Sequence, residues 1–271
     1  MTVLLTFLLL FLVLWLFFYA FLPPIEKLLH RAAHFTAKFR YRDYLPVLIV
    51  LIIGVVATSA AGDAFLDLAE RLHAESSRMH AVDREVHVWA RTAHTDGSTR
   101  FFTILTIIGT PVGLGIVIAI IAGVLAMRRR WRWAMYLVFT SVVGGLLNLQ
   151  LKAYFARARP DLAEALRHTS GYSFPSGHAM GATVCFGALS YLAFRAIPNW
   201  RERAAAVAFS VSMIVAIASS RIYLGVHWIS DIGAGLAAGV IWIGSTTVAY
   251  ETFRRIRMIR SLRKKRMSSR A

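Results

Sequence analysis

The chain has 271 residues and a formal charge of +17, from 31 Lys and Arg against 14 Asp and Glu. It is 57% hydrophobic and 17% charged, where a soluble domain is about 45–50% apolar and about 25% charged, so a disordered chain is excluded and a water-soluble globule disfavoured. One cysteine, Cys185, leaves no disulfide framework and no cysteine-rich metal site within one chain.

Seven apolar runs approach the roughly 20 residues that a helix needs to cross a bilayer. The first, Val3–Leu22, has no basic leader, an apolar stretch too long for a signal peptide and no small-residue cleavage site, so it reads as a retained helix with an outside N-terminus. The others are Leu45–Ala61, Phe102–Ala126, Ala134–Leu151, Ala179–Phe194, Ala204–Ser219 and Ile232–Ala249. Charge between the runs alternates. Lys27, Arg31, Lys38, Arg40 and Arg42 follow the first run. Arg128, Arg129, Arg130 and Arg132 follow the third, and Arg195, Arg201 and Arg203 follow the fifth. A basic tail, Arg254 to Arg270, follows the seventh. If all seven runs span, these clusters share one side, which the positive-inside rule makes cytoplasmic. The charge therefore marks a membrane surface and not a nucleic-acid partner.

The outside segment Gly62–Phe101 carries more acidic than basic residues. In it His73, His80, His87 and His94 recur every seven residues, which on one helix makes a drifting stripe. Neighbours in the stripe are about 10.5 Å apart along the axis, too far to share a metal ion. The plain expectation is the wet face of an amphipathic helix whose other face is Val82, Val86 and Trp89.

Polar residues gather where the second half of the chain meets the outer side. Lys152, Arg157 and Arg159 follow the fourth run, and Pro175-Ser176-Gly177-His178 opens the fifth. Ser220-Arg221 ends the sixth, and His227 and Asp231 precede the seventh. Intramembrane and interfacial ionisable groups of this density mark a functional site. Lys152, Arg159 and Arg221 offer cations and forked donors suited to phosphate oxygens. Ser176 and Gly177 stand at a helix start, where N–H groups and the helix dipole favour an anion. His227 and Asp231 are spaced i, i+4, so the carboxylate can take the Nδ1 proton and leave Nε2 as a nucleophile. His178 is then available to protonate a leaving oxygen. Together these residues compose a phosphoryl transfer through a phosphohistidine, with the cations on the equatorial oxygens and no metal or other cofactor. Arg157 lies between the motif cations, where a diphosphate, a headgroup or a plain surface role would each suit it.

Lys152-x6-Arg159-Pro160, Pro175-Ser176-Gly177-His178 and Ser220-Arg221-x5-His227-x3-Asp231 resemble, complete and in order, the three signature motifs of the type 2 phosphatidic acid phosphatases. The resemblance extends over roughly Val82–Ala249. It implies an all-α multi-pass membrane protein with a six-helix core over residues 45–250. Residues 1–44 would add an extra N-terminal transmembrane helix and a basic linker, and residues 251–271 a basic cytoplasmic tail. It also implies His227 as nucleophile, Asp231 as its orienter and His178 as acid, with Lys152, Arg159, Ser176, Gly177 and Arg221 on the phosphate. The expected partner is a membrane lipid phosphate at the outer face of the cell membrane: undecaprenyl diphosphate, phosphatidylglycerol phosphate, phosphatidic acid or lipid A phosphate. Arg157 tilts the choice slightly to a prenyl diphosphate. Transfer of the phosphoryl group to another lipid is the alternative on the same scaffold. An anion channel fits poorly, because the runs hold few polar residues near their middles besides Asn148 and Gln150. Haloperoxidase chemistry is disfavoured as belonging to soluble relatives. Gly177-x3-Gly181 and Gly235-x3-Gly239 read as close helix packing.

Overall fold

The computed structural model describes residues 8–20, 45–160, 165–166 and 170–268. The linker cations Lys27 to Arg42 and the side chains of most of the basic tail lie outside the described residues. Among the described residues there are nine helices and no strand. They are α1 (Leu8–Ala20), α2 (Leu45–His73), α3 (Ser77–Thr92), α4 (Asp96–Ile108), α5 (Pro111–Met127), α6 (Trp131–Phe155), α7 (Gly177–Ala196), α8 (Trp200–Tyr223) and α9 (Ile229–Ser268). Helices α6, α7, α8 and the Ile229–Met258 part of α9 are long and apolar enough to cross a membrane, and α4 with α5 makes a further, bent span.

The third apolar run is therefore not one straight helix. It breaks at Gly109–Thr110, with 59° between α4 and α5. Thr110 leaves helical geometry to cap α5, its hydroxyl accepting from Gly113 N at 3.0 Å, and Pro111 takes the first helical position, where no N–H is needed. The apolar run continues across the break, so hydropathy alone does not reveal it. Gly109 is required at the bend: a Cβ there would stand 2.4 Å from Ile217 Cγ2 and 2.8 Å from His178 Cδ2.

The bundle is centred on α7, which packs on α6, α8 and α9, with α5 outside α6 and α7, α4 against α8, and α2 along α9. Lipid chains are as apolar as leucine, so association within a bilayer relies on close backbone approach. The sequence supplies it. Ala179, Ala182, Ala188, Ala204, Ala208 and Ser212 are wholly buried. A Cβ on Gly235 would meet Ser176 O at 2.6 Å, and one on Gly239 would meet Thr183 Cβ at 2.6 Å, so α9 presses its small residues directly onto α7. Leu105, Leu114, Phe186, Met213 and Ile217 fill the space among α4, α5, α7 and α8, with Cys185 buried beside them. The large apolar side chains left outside, such as Ile116, Ile120, Phe139, Val142, Leu146 and Leu149, face outward as a lipid-exposed surface does. Helix α1 reaches the rest of the protein through Tyr19, whose ring is 4.1 Å from that of Trp200.

The histidine stripe does not form. Helix α2 stops at His73, α3 holds His80 and His87, and His94 lies in the turn before α4. The turn at Ala74–Ser76, where Glu75 takes φ 48° and Ser76 caps α3, destroys the phase between them. His94 Nε2 instead bonds Tyr223 O at 2.8 Å, and His87 lies 5.6 Å from the Trp228 ring. Helix α3 also turns the other way from the sequence expectation. Met79, Asp83 and Ala90 face in, while Val82 and Trp89 are exposed.

Candidate active site

Four helix ends meet at one end of the bundle. Helix α6 closes with Ala156 in the left-handed region (φ 45°), which turns the chain inward at Arg157 and on to Arg159. Ser176 caps α7 and its N–H donates to Asp231 O at 3.0 Å, tying the start of α7 to the first turn of α9. Arg221 ends α8, and Gly225, at φ 71°, makes the turn that leads to His227.

His227 and Asp231 are both buried. His227 Nδ1 faces Asp231 Oδ2 at 3.2 Å, and Arg159 Nη1 lies 3.2 Å from His227 Nε2. A guanidinium only donates, so Nε2 is the acceptor and Nδ1 carries the proton to Asp231. The lone pair on Nε2 is thereby directed at the cations. Burial pulls the His227 imidazole down to about 4, with Asp231 opposing the shift and Arg159 and Arg221 adding to it. Asp231 Oδ2 also accepts from Trp228 N at 2.9 Å.

The cations are held by the chain's own carbonyls and a hydroxyl. Arg159 donates to Val226 O and Gly171 O, each at 2.8 Å. Lys152 Nζ donates to Tyr172 O at 2.6 Å. Arg221 is buried and donates through Nη1 to Thr106 Oγ1, and the Thr106 carbonyl accepts from His178 Nε2 at 3.1 Å. Thr106 thus binds two of the sequence-expected residues at once. Gly177 has no room for a side chain, since a Cβ would lie 2.8 Å from Asn148 Oδ1. Lys152, Arg159, Arg221, His178 and His227 are close enough for their charges to act on one another or on Asp231.

Arg157 does not join this set. It is buried and donates to Asp231 Oδ1 at 2.6 Å, Ser230 Oγ at 2.7 Å and Asp83 Oδ2 at 2.7 Å. Both of its terminal nitrogens donate to protein, and an exposed surface position does not match that placement. Asp83, Ser230 and Thr106 were not singled out by sequence. The only available signal for Asp83 is its place with Met79 and Ala90 on one line of α3.

Residues 133–255 match the family model described as PAP2 superfamily. The chain is 32% identical over 180 residues to phosphatidylglycerophosphatase B of Bacillus subtilis, covering 65% of this chain and 86% of that one. The chain belongs to the PAP2 superfamily. It is also 36% identical over 121 residues to a lipid A 1-phosphatase of Rhizobium johnstonii, across 41% of this chain and 45% of the relative. Among solved structures, it resembles that of a transmembrane PAP2-type phosphatidylglycerolphosphate phosphatase from Bacillus subtilis. The TM-score is 0.67 at 26% identity, over 72% of this chain and 96% of the other. The all-α, membrane-embedded fold expected from the motifs is thus shared with a PAP2 protein. The family match begins after Asp83 and Thr106, so both lie outside it.

Proposed function

We propose that this PAP2 protein is a lipid phosphatase that works through a phosphohistidine at the outer face of the cell membrane, with its C-terminus in the cytoplasm. The observation that carries the proposal is the His227 geometry, with Nδ1 on Asp231 and Nε2 turned to Arg159. In the first step Nε2 attacks phosphorus. A P–N bond forms, the P–O bond to the lipid breaks, and His178 gives its proton to the departing oxygen. In the second step His178 takes a proton from water as the water oxygen bonds to phosphorus and the P–N bond breaks. Lys152, Arg159, Arg221, the Ser176 hydroxyl and the Gly177 N–H hold the equatorial oxygens. The residues that do this chemistry need neither a metal nor an organic cofactor. The relatives' names support a lipid phosphate as substrate, and phosphatidylglycerol phosphate, lipid A phosphate, phosphatidic acid and undecaprenyl diphosphate form the panel to test.

The test is phosphate release in detergent from those four lipids, with excess EDTA and with His227→Ala as control. Release that survives EDTA and disappears in His227→Ala supports the proposal. Release that persists in His227→Ala defeats the nucleophile assignment, and transfer to an added acceptor lipid without free phosphate replaces hydrolysis by phosphotransfer.

A further inference from the structure

Asp231 has two oxygens with different duties. Oδ2 serves His227 and Trp228 N, whereas Oδ1 is held by Arg157. The other end of the Arg157 fork is held by Asp83, which arrives from α3, outside the spanning bundle. Asp83 accepts a further bond from Ser230 N at 3.0 Å and one from Ser230 Oγ at 2.7 Å. Ser230 N is one of the early N–H groups of α9 that has no partner inside its own helix. One carboxylate therefore does two things: it closes the N-terminus of the helix that bears Asp231, and it fixes the guanidinium that orients the Asp231 carboxylate.

The three charged groups are nearly solvent-free, with Asp83 at 2%, Asp231 at 0% and Arg157 at 8% exposure. Buried charges of this kind persist only when paired. Without Asp83, Arg157 would press an unbalanced positive charge on Asp231 and compete with His227 for it. With Asp83, the triad carries a net negative charge facing His227, against Arg159, Lys152, Arg221 and His178 from the other elements around the site.

We infer that Asp83 and Arg157 form a positioning relay from the outer helix α3 to Asp231, which sets the aim and basicity of His227, and that Arg157 does not bind substrate. Asp83 has this role only if His227 is the nucleophile proposed above.

The test compares Asp83→Asn, Arg157→Lys and the milder Ser230→Ala with wild type and His227→Ala. Phosphate release is read on whichever of the four lipids the wild type hydrolyses fastest. Thermal unfolding in the same detergent is measured in parallel, and Asp67→Asn on the exposed face of α2 serves as an unaffected control. Asp83→Asn and Arg157→Lys should lower kcat about tenfold or more, the scale of lost outer-shell partners, and leave KM within about twofold. Lysine keeps the charge but cannot span two carboxylates. Ser230→Ala should shift kcat in the same direction by less. Asp83→Asn removes a negative charge near His227, so the acid limb of its rate profile should move to lower pH. A raised KM with kcat retained in Arg157→Lys would place Arg157 on the substrate and overturn the relay. A lowered unfolding temperature with unchanged kcat and pH profile per folded molecule would reduce Asp83 to a brace and overturn it as well. An active His227→Ala would instead defeat the underlying chemistry.

Discussion

The two ends of the bundle use the same residue types to opposite effect. At the site end, Lys152, Arg157, Arg159 and Arg221 turn inward and are held by carbonyls, a hydroxyl and carboxylates. At the other end, cations rest on aromatic faces, with Arg130 4.7 Å from the Trp133 ring centre and Arg203 5.0 Å from that of Phe194. Arg254 and Arg255 there share the one buried carboxylate of Glu251. The difference is one of desolvation. A guanidinium fixed among protein dipoles is already organised to meet an anion, whereas one on a wet rim is screened and contributes little.

The sharpest break in this comparison is His227→Ala. It should reduce turnover by about 10⁴-fold or more, as loss of a nucleophile does, while thermal unfolding in detergent stays close to wild type. Asp231→Asn should cost about 10²–10⁴-fold in kcat with little change in KM, as the proposed role of a carboxylate that sets the tautomer without touching substrate requires. Should the loss fall on KM alone, the site end would be a binding surface like any other. The pH profile gives a subtler contrast. Burial holds the His227 imidazole down to about 4, so on the acid side kcat/KM should hold through pH 5 and fall only as pH drops through about 4, where the imidazole takes a proton. An acid limb near the ordinary imidazole value would mean that His227 is not buried as described.

At the opposite end the effects should be on stability and not on chemistry. Glu251→Gln weakens bonds from Tyr191, Arg254 and Arg255, and should cost about 1–3 kcal/mol by analogy with other buried acceptors, seen as a lower unfolding temperature with kcat retained. Smallest of all, Arg130→Gln should change phosphate release by less than about twofold, since an exposed cation–π contact is worth about 0.5–1 kcal/mol. A large loss of activity there would erase the distinction between the ends.

The apolar runs were legible because a bilayer leaves no other way to satisfy the backbone, and the motif residues because their types and spacing are chemically restrictive. The break between α4 and α5 was not, since Gly109, Thr110 and Pro111 interrupt the backbone without interrupting hydropathy. The histidine repeat misled because a period of seven has meaning only within one helix, and the turn after His73 ends it. Arg157 differs in another way. Its place between Lys152 and Arg159 suggests a shared task, yet a side chain's partners are set by which groups the packed helices bring beside it, and here those are Asp83, Ser230 and Asp231.

The linear pattern alone was enough to read an all-helical membrane protein and the PAP2 motifs in their order along the chain. Those depend on composition, period and short-range spacing, which a linear pattern records. Packing is what brings Asp83 to Arg157 and Ser230 across 74 and 147 positions, and what joins Arg221 to His178 through Thr106. Such bonds form because burial makes an unpaired charge or polar group costly, and which groups become buried together is settled by the packing of helices far apart in the chain.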